Sequence, residues 1–255
     1  MELVYLITLF ILGTLCGSFF TVVGLHLPLG ENFITNRSHC DSCNHKLSML
    51  DMVPILSFLF LGRKCRYCHK PISSLSTYME FFTGILFALA YYVFGFHIQL
   101  LIALGIVAML IIIAVSDITY MIIPDELLIF FGCYFAILQF INLGFRNGML
   151  MICSGLFLFL LMYFIMLIGN KIFKKESLGG GDIKMMFVFG ILLEPLLGTV
   201  AIFLGSLLAL PISFFLLKKK IGNIVPFGPF LLIALTFIYF TGITTVDIIS
   251  FLKGI

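Results

Sequence analysis

Charge is what this sequence has least of. Only 11% of its 255 residues are Asp, Glu, Lys or Arg, and 62% are hydrophobic. A soluble domain is about one quarter charged and about half apolar. With a mean hydropathy of +1.20, the chain reads as a multi-pass membrane protein. The ten-residue alternation of barrel strands is also missing, and the apolar runs are continuous over roughly 20 residues, so the spans are helices. The net charge of +3 is too small to point to a nucleic-acid partner. The first run, LVYLITLFILGTLCGSFFTVVGL, has no basic flank, Glu2 being the only early charge, and no small-residue cleavage site follows it. It is therefore read as a retained first helix rather than a signal peptide. There is no Ser-His-Asp arrangement, and no GxGxxG follows a strand, so nothing in the residues themselves marks a nucleotide-type cofactor site.

What is present is a series of eight candidate spans, at about 3–25, 75–95, 99–116, 126–143, 149–169, 183–194, 196–217 and 228–242. The sixth is short and is ended by Glu194-Pro195. The links at 96–98 and 144–148 are short enough for helical hairpins. With the N-terminus outside, one side receives Arg37, Lys46, Arg63, Lys64, Arg66, Lys70, Lys171, Lys174, Lys175, Lys184, Lys218, Lys219 and Lys220. The other receives only Arg146 and Lys253. The positive-inside rule makes the first side cytoplasmic and places both termini outside. The expected organisation is a first transmembrane helix (1–26), a small cytoplasmic loop domain (27–74) and a membrane domain (75–255).

The loop holds Cys40-x-x-Cys43 and Cys65-x-x-Cys68. A CxxC turn lets two thiolates reach one ion, and two such knuckles complete a tetrahedral four-sulfur zinc site. A reducing cytoplasm disfavours disulfides, and Lys64 and Arg66 favour thiolates. The competing reading is a redox-active or merely buried pair of CxxC turns. A zinc site of this kind is closed: it organises a segment too small to fold on its own core rather than doing chemistry. His39, His45 and His69 flank the cysteines as loop residues. Cys16, Cys133 and Cys153 sit in apolar spans and behave as small hydrophobes.

Carboxylates near hydrocarbon are costly, and they are few here. Asp117 ends the third span, Asp125 and Glu126 open the fourth, Asp182 opens the sixth, and Glu80 lies about one turn into the second. The topology puts all five near the cytoplasmic membrane face. Asp125 and Glu126 follow Pro124 and make an ordinary helix start, which leaves Asp125, like Lys184, an auxiliary candidate at most. Glu80 reads equally well as an interfacial residue. Asp117 is harder to explain, because a carboxylate at a helix C-terminus opposes the dipole. Asp182 has an N-cap alternative, yet Gly179, Gly180 and Gly181 before it exceed what a cap needs. Their bare backbone could pair with an extended peptide, and their freedom in φ could let Asp182 swing toward Asp117. Two facing carboxylates suggest an aspartic protease, in which one holds a proton under the other's charge. The alternative is a proton- or cation-coupled transporter using the same aspartates; their clustering at one face instead of mid-membrane argues against it.

At these residues the chain resembles the bacterial type IV prepilin peptidases, from about residue 13 to 231. The segments that carry the likeness are GSFFTVVGLHLP, the double-CxxC loop with VPILSFLFLGRKCRYCHKPIS, SDITYMIIPD, GGGDIKMMFVFG and VPFGPFLLIA, in the family's order. The resemblance implies Asp117 and Asp182 as the catalytic pair and Cys40, Cys43, Cys65 and Cys68 as zinc ligands. It also implies cleavage of the leader of prepilins or pseudopilins at the cytoplasmic face, followed by N-methylation of the new terminus with S-adenosylmethionine. Methylation would belong to the N-terminal part and Glu80. There the sequence departs from the family: Thr21 stands where Asn is usual, His26 where Arg is usual, and LSTYME keeps only Tyr78 and Glu80 of the usual element.

Overall fold

The computed structural model describes residues 1–31, 43, 45, 64–71, 74–174, 178–219 and 226–254. Its regular elements are α1 (Glu2–His26) with a 3₁₀ turn at Leu27–Leu29, α2 (Leu75–Phe94), α3 (Ile98–Tyr120), α4 (Asp125–Phe173), α5 (Gly180–Leu192), α6 (Pro195–Lys219), α7 (Gly228–Thr241) and α8 (Thr245–Lys253). The helical class follows from the runs themselves, since an α-helix satisfies every backbone group within one segment in lipid. Large apolar side chains such as Phe130, Ile141, Phe164, Phe203 and Phe214 remain exposed on the outside, as lipid requires and water would not tolerate.

All eight expected runs are helical, though not each is a separate helix long enough to cross a membrane. Among the described residues five helices are long and apolar enough to cross a membrane, or six if the bent pair α7–α8, which turns by 93°, is taken as one span. Two of the expected spans, 126–143 and 149–169, are limbs of α4, which is broken at Gly144 (φ 77°, ψ 171°). A left-handed φ of this kind is open to glycine at little cost. The expected sixth span is α5, with 13 residues. At 1.5 Å per residue it reaches about 20 Å, short of the roughly 30 Å of hydrocarbon.

The helix α3 is the axis of the molecule, buried almost throughout from Ile102 to Asp117. Around it, α1 packs through glycines spaced for helix–helix contact. A Cβ on Gly13 would lie 2.8 Å from Gly84 Cα, and one on Gly17 would lie 2.9 Å from Glu80 Cα, both in α2. One on Gly24 would lie 2.7 Å from the Ile112 carbonyl of α3. These contacts bring the backbones together with no side chain between them.

The short α5 is held between the two limbs of α4. Lys184 near its start pairs with Asp125 on the first limb at 2.6 Å. Near its end, the Ile191 carbonyl accepts from Gln139 Nε2 and the Leu193 carbonyl from Ser154 Oγ, each at 3.0 Å. Those carbonyls have no partner within their own helix, and the two buried side chains satisfy them. Gly155 of the second limb meets the Phe187 carbonyl and the Gly190 backbone of α5. The first limb thus runs parallel to α5 and the second antiparallel, so the break at Gly144 reverses the chain. The clamp fixes the height and rotation of α5, and with them the position of Asp182.

Candidate active site

Three helix ends meet at one place: the C-terminus of α3, the N-terminus of α5 and the N-terminus of α7. Asp117 lies in the last turn of α3 and is 7% exposed. The Gly228 N–H donates to its Oδ2 at 3.0 Å. Gly228 opens α7 and is followed by Pro229, so its N–H is one of the unpaired donors of a helix start. The α7 dipole offsets the opposition of Asp117's own helix, and this resolves the difficulty its position posed in the sequence.

Asp182 lies in the first turn of α5 and is 9% exposed. Its Oδ1 is buried and has no hydrogen-bond partner among the described residues. A lone buried acceptor costs about 1–3 kcal/mol. Ile123 links the two carboxylates: its Cβ faces Gly181, next to Asp182, and its Cδ1 lies beside Gly228, which donates to Asp117. The structure therefore brings together the pair that the sequence set 65 positions apart, between Asp117 and Asp182.

The glycine run has a placement the sequence did not indicate. Gly179 is the extended N-cap of α5 (φ −69°, ψ 140°), while Gly180 and Gly181 are already helical. None of the three has a positive φ. A Cβ on Gly180 would meet nothing within 4 Å, whereas one on Gly181 would lie 2.8 Å from Ile123 Cβ. Space, more than backbone freedom, requires glycine at 181. Lys184 and Asp125 pair with each other on an exposed face, at 52% and 57% side-chain exposure.

Glu80 is buried against α1, 6% exposed, and accepts from Ser76 Oγ at 3.2 Å. It stands on a different helix from either aspartate.

In the loop, the Sγ atoms of Cys43, Cys65 and Cys68 lie within 4.8 Å of one another. The Cys65–Cys68 turn is closed by Cys65 N–H to the Lys70 carbonyl at 2.9 Å and His69 N–H to the Cys65 carbonyl at 3.0 Å, with His69 left-handed (φ 56°). Lys64 and Pro71 form a single antiparallel bridge across it. The His45 and Tyr67 rings lie 3.7 Å apart, tilted by 34°, and tie the second cysteine turn to the neighbourhood of the first. Three converging sulfurs, two from this turn and one from Cys43, suit a thiolate-binding ion. Cys40 and His39 lie outside the described residues.

Gly228 was missed by sequence reasoning, although the motif VPFGP containing it was noticed. Its signal was a glycine followed by a proline at the head of an apolar run, a helix start with a bare N–H.

Comparison with known proteins covers both aspartates, Glu80 and the cysteine turns, with Gly228 beyond the family matches. Residues 11–94 match the bacterial peptidase A24 N-terminal domain, and residues 104–214 match the type IV leader peptidase family. A prepilin leader peptidase/N-methyltransferase of Bacillus subtilis is 37% identical over 78% of this chain and 78% of its own length. A protein of the same description from Myxococcus xanthus is 33% identical over 73% of this chain and 55% of its own. One from Vibrio cholerae is 29% identical over 94% and 98%. No solved structure matches. With two family models covering most of its length and relatives of one description along it, the chain belongs to the type IV leader peptidase family.

Proposed function

We propose that the chain is a membrane aspartic endopeptidase that removes the leader of type IV prepilins or pseudopilins and then N-methylates the exposed residue. The observation that carries the peptidase reading is the convergence of Asp117 and Asp182, both buried, at the junction of three helix ends. Family membership and the description its relatives share support both activities.

The environments of the two carboxylates divide the roles. Asp117 receives the Gly228 N–H and faces the N-terminus of α7, which favours a negative charge on it. Asp182 Oδ1 has no donor among the described residues, which suits the protonated acid, whose O–H donates instead. Asp117 then takes a proton from water as the water oxygen attacks the scissile carbonyl carbon. Asp182 donates to the carbonyl oxygen and stabilises the tetrahedral intermediate. The proton gained by Asp117 passes to the leaving amide nitrogen as the C–N bond breaks, and Asp182 recovers its proton from a hydroxyl of the intermediate as the C=O re-forms, so the pair returns to its starting state. The bare backbone at Gly179 and Gly180 supports an approach by extended substrate beside Asp182, with Gly181 filled against Ile123.

Methylation is assigned to the first helix, the 27–74 loop and Glu80. The Glu80 carboxylate, with Ser76 beside it, would accept a proton from the ammonium of a new N-terminus, leaving the free amine that methylation needs. S-adenosylmethionine, as the resemblance implies, supplies the methyl group. The loop cysteines would hold zinc: Cys43, Cys65 and Cys68 converge, with Cys40 as the fourth ligand. The ion's part is structural, bracing the loop. The lysine and arginine asymmetry supports a cytoplasmic active site with both termini outside.

The test is direct. Protein in detergent is incubated with a prepilin-type peptide, and mass spectrometry reads the cleavage site and the N-terminal mass together. A cut at the leader junction and a 14 Da gain that depends on added S-adenosylmethionine are expected, the gain being about one methyl group by the chemistry of group transfer. An intact peptide would sink the peptidase reading.

A further inference from the structure

We infer that Ile123 is a positioning residue of the aspartate pair: its side chain is the spacer that sets how far the Asp182-bearing turn stands from the Asp117–Gly228 hydrogen bond. The inference rests on reading Asp117 and Asp182 as the catalytic pair, and it concerns the contact between the elements that carry them.

Ile123 meets the starts of α5 and α7 and is joined to the end of α3 by its own turn. Its Cβ lies 2.8 Å from where a side chain at Gly181 would begin, one residue before Asp182. Its Cδ1 lies 3.2 Å from the same point at Gly228, and Asp117 Oδ2 is 3.0 Å from that point. It follows Asp117 by six residues in the α3–α4 turn. Gly181 is therefore the glycine this side chain requires, and at Gly228 it stands beside Asp117 Oδ2, the nearest atom to that position.

The mount of the spacer is stiff. Helix α3 ends at Met121 in the left-handed region (φ 55°), with the Met121 N–H donating to the Asp117 carbonyl at 2.9 Å. The Ser116 hydroxyl, fully buried, donates to the Ile122 carbonyl and closes the turn. Pro124 follows, with φ −65° and ψ 133°, and its ring allows little else. Isoleucine branches at Cβ, so its χ1 is restricted. A rigid side chain on a rigid turn transmits position. A misplacement of about 1 Å between reacting groups costs up to roughly a hundredfold in rate, so a spacer here acts on turnover without touching substrate.

The experiment measures kcat and KM of detergent-solubilised full-length protein on a prepilin-type peptide for wild type, Ile123→Val and Ile123→Ala. The loss should grade with the volume removed. Ile123→Ala should lower kcat about tenfold or more with KM within about twofold. Ile123→Val, which keeps the Cβ branch facing Gly181, should stay within about threefold of wild type. A wild-type kcat in Ile123→Ala overturns the proposal, as does an equal loss in both variants. Thermal midpoint in detergent reports folding. If Ile123→Ala fails to fold, Ile123→Leu decides: its volume is unchanged but its branch point moves, so kcat should fall at constant KM, and an unchanged kcat overturns the proposal. A wild-type protein that cuts no prepilin peptide defeats the catalytic reading itself, whereas an active wild type with an equally active Ile123→Ala defeats only the spacer.

Discussion

The Gly228 N–H donates to Asp117 Oδ2 at 3.0 Å across 111 residues of sequence. One helix ends and another begins at that bond, and the second helix provides the positive pole that the first denies its own carboxylate. Both aspartates lie at this buried junction, Asp117 with a donor and Asp182 Oδ1 with none among the described residues.

Asp117→Asn and Asp182→Asn should each lower cleavage by on the order of 10²–10⁴-fold, the usual contribution of a general acid or base. Neither asparagine can exchange the shared proton of a coupled pair. The check is turnover of a prepilin-type peptide by protein whose membrane insertion is unchanged. Wild-type turnover in either variant would remove that aspartate from the mechanism.

Gly181→Val should abolish most peptidase activity while leaving zinc content as in wild type. The new Cβ would begin 2.8 Å from Ile123 Cβ, and the first turn of α5 would have to move. Gly180→Ala meets open space and should retain activity unless substrate lies against it. Comparing the two separates the packing demand from the approach path.

Asp125→Asn should be mild, within about tenfold of wild type. Its partner Lys184 and Asp125 itself are both more than half exposed, and exposed ion pairs contribute about 0–1 kcal/mol. A loss as deep as that of Asp117→Asn would instead make Asp125 a third participant in the chemistry.

Purified protein should hold about one zinc ion per chain, measured by elemental mass spectrometry. Cys65→Ser and Cys68→Ser should each lose it and raise the protease sensitivity of the 27–74 loop, since metal binding and local folding are coupled. Full zinc occupancy in both variants would place the ion elsewhere.

Glu80→Gln should leave a cut but unmethylated product. Glu80 sits on α2 against α1, and the aspartates sit on α3 and α5. Equal loss of both activities would point to a structural part for Glu80 in the α1–α2 contact. Gly17→Val supplies the comparison, because its Cβ would lie 2.9 Å from Glu80 Cα. That variant should lower the thermal midpoint, the cost of overpacking being about 1–3 kcal/mol.

The sequence by itself determined what depends on composition and near neighbours. Continuous apolar runs can only be helices in lipid, so the class was legible. CxxC spacing brings two sulfurs together within one turn, and Cys65 and Cys68 converge as that spacing requires, joined by Cys43. Carboxylates at the ends of apolar runs were legible as candidates because their burial is costly wherever the chain goes. The short link near 144 was legible as a reversal, since Gly144 permits the left-handed φ found there.

Only the tertiary structure decided what depends on distant partners. The run at 183–194 was already short for a span, but no length could show that α5 is clamped between the limbs of α4, its terminal carbonyls satisfied by Gln139 and Ser154. The glycines before Asp182 suggested backbone freedom, yet the packing of Ile123 is what requires Gly181. Asp117 looked misplaced because its compensating charge comes from Gly228 on another helix. Local spacing reports which residues share a turn. Steric fit and hydrogen bonding between helix ends depend on how the helices pack, and no local pattern in the chain encodes that distance.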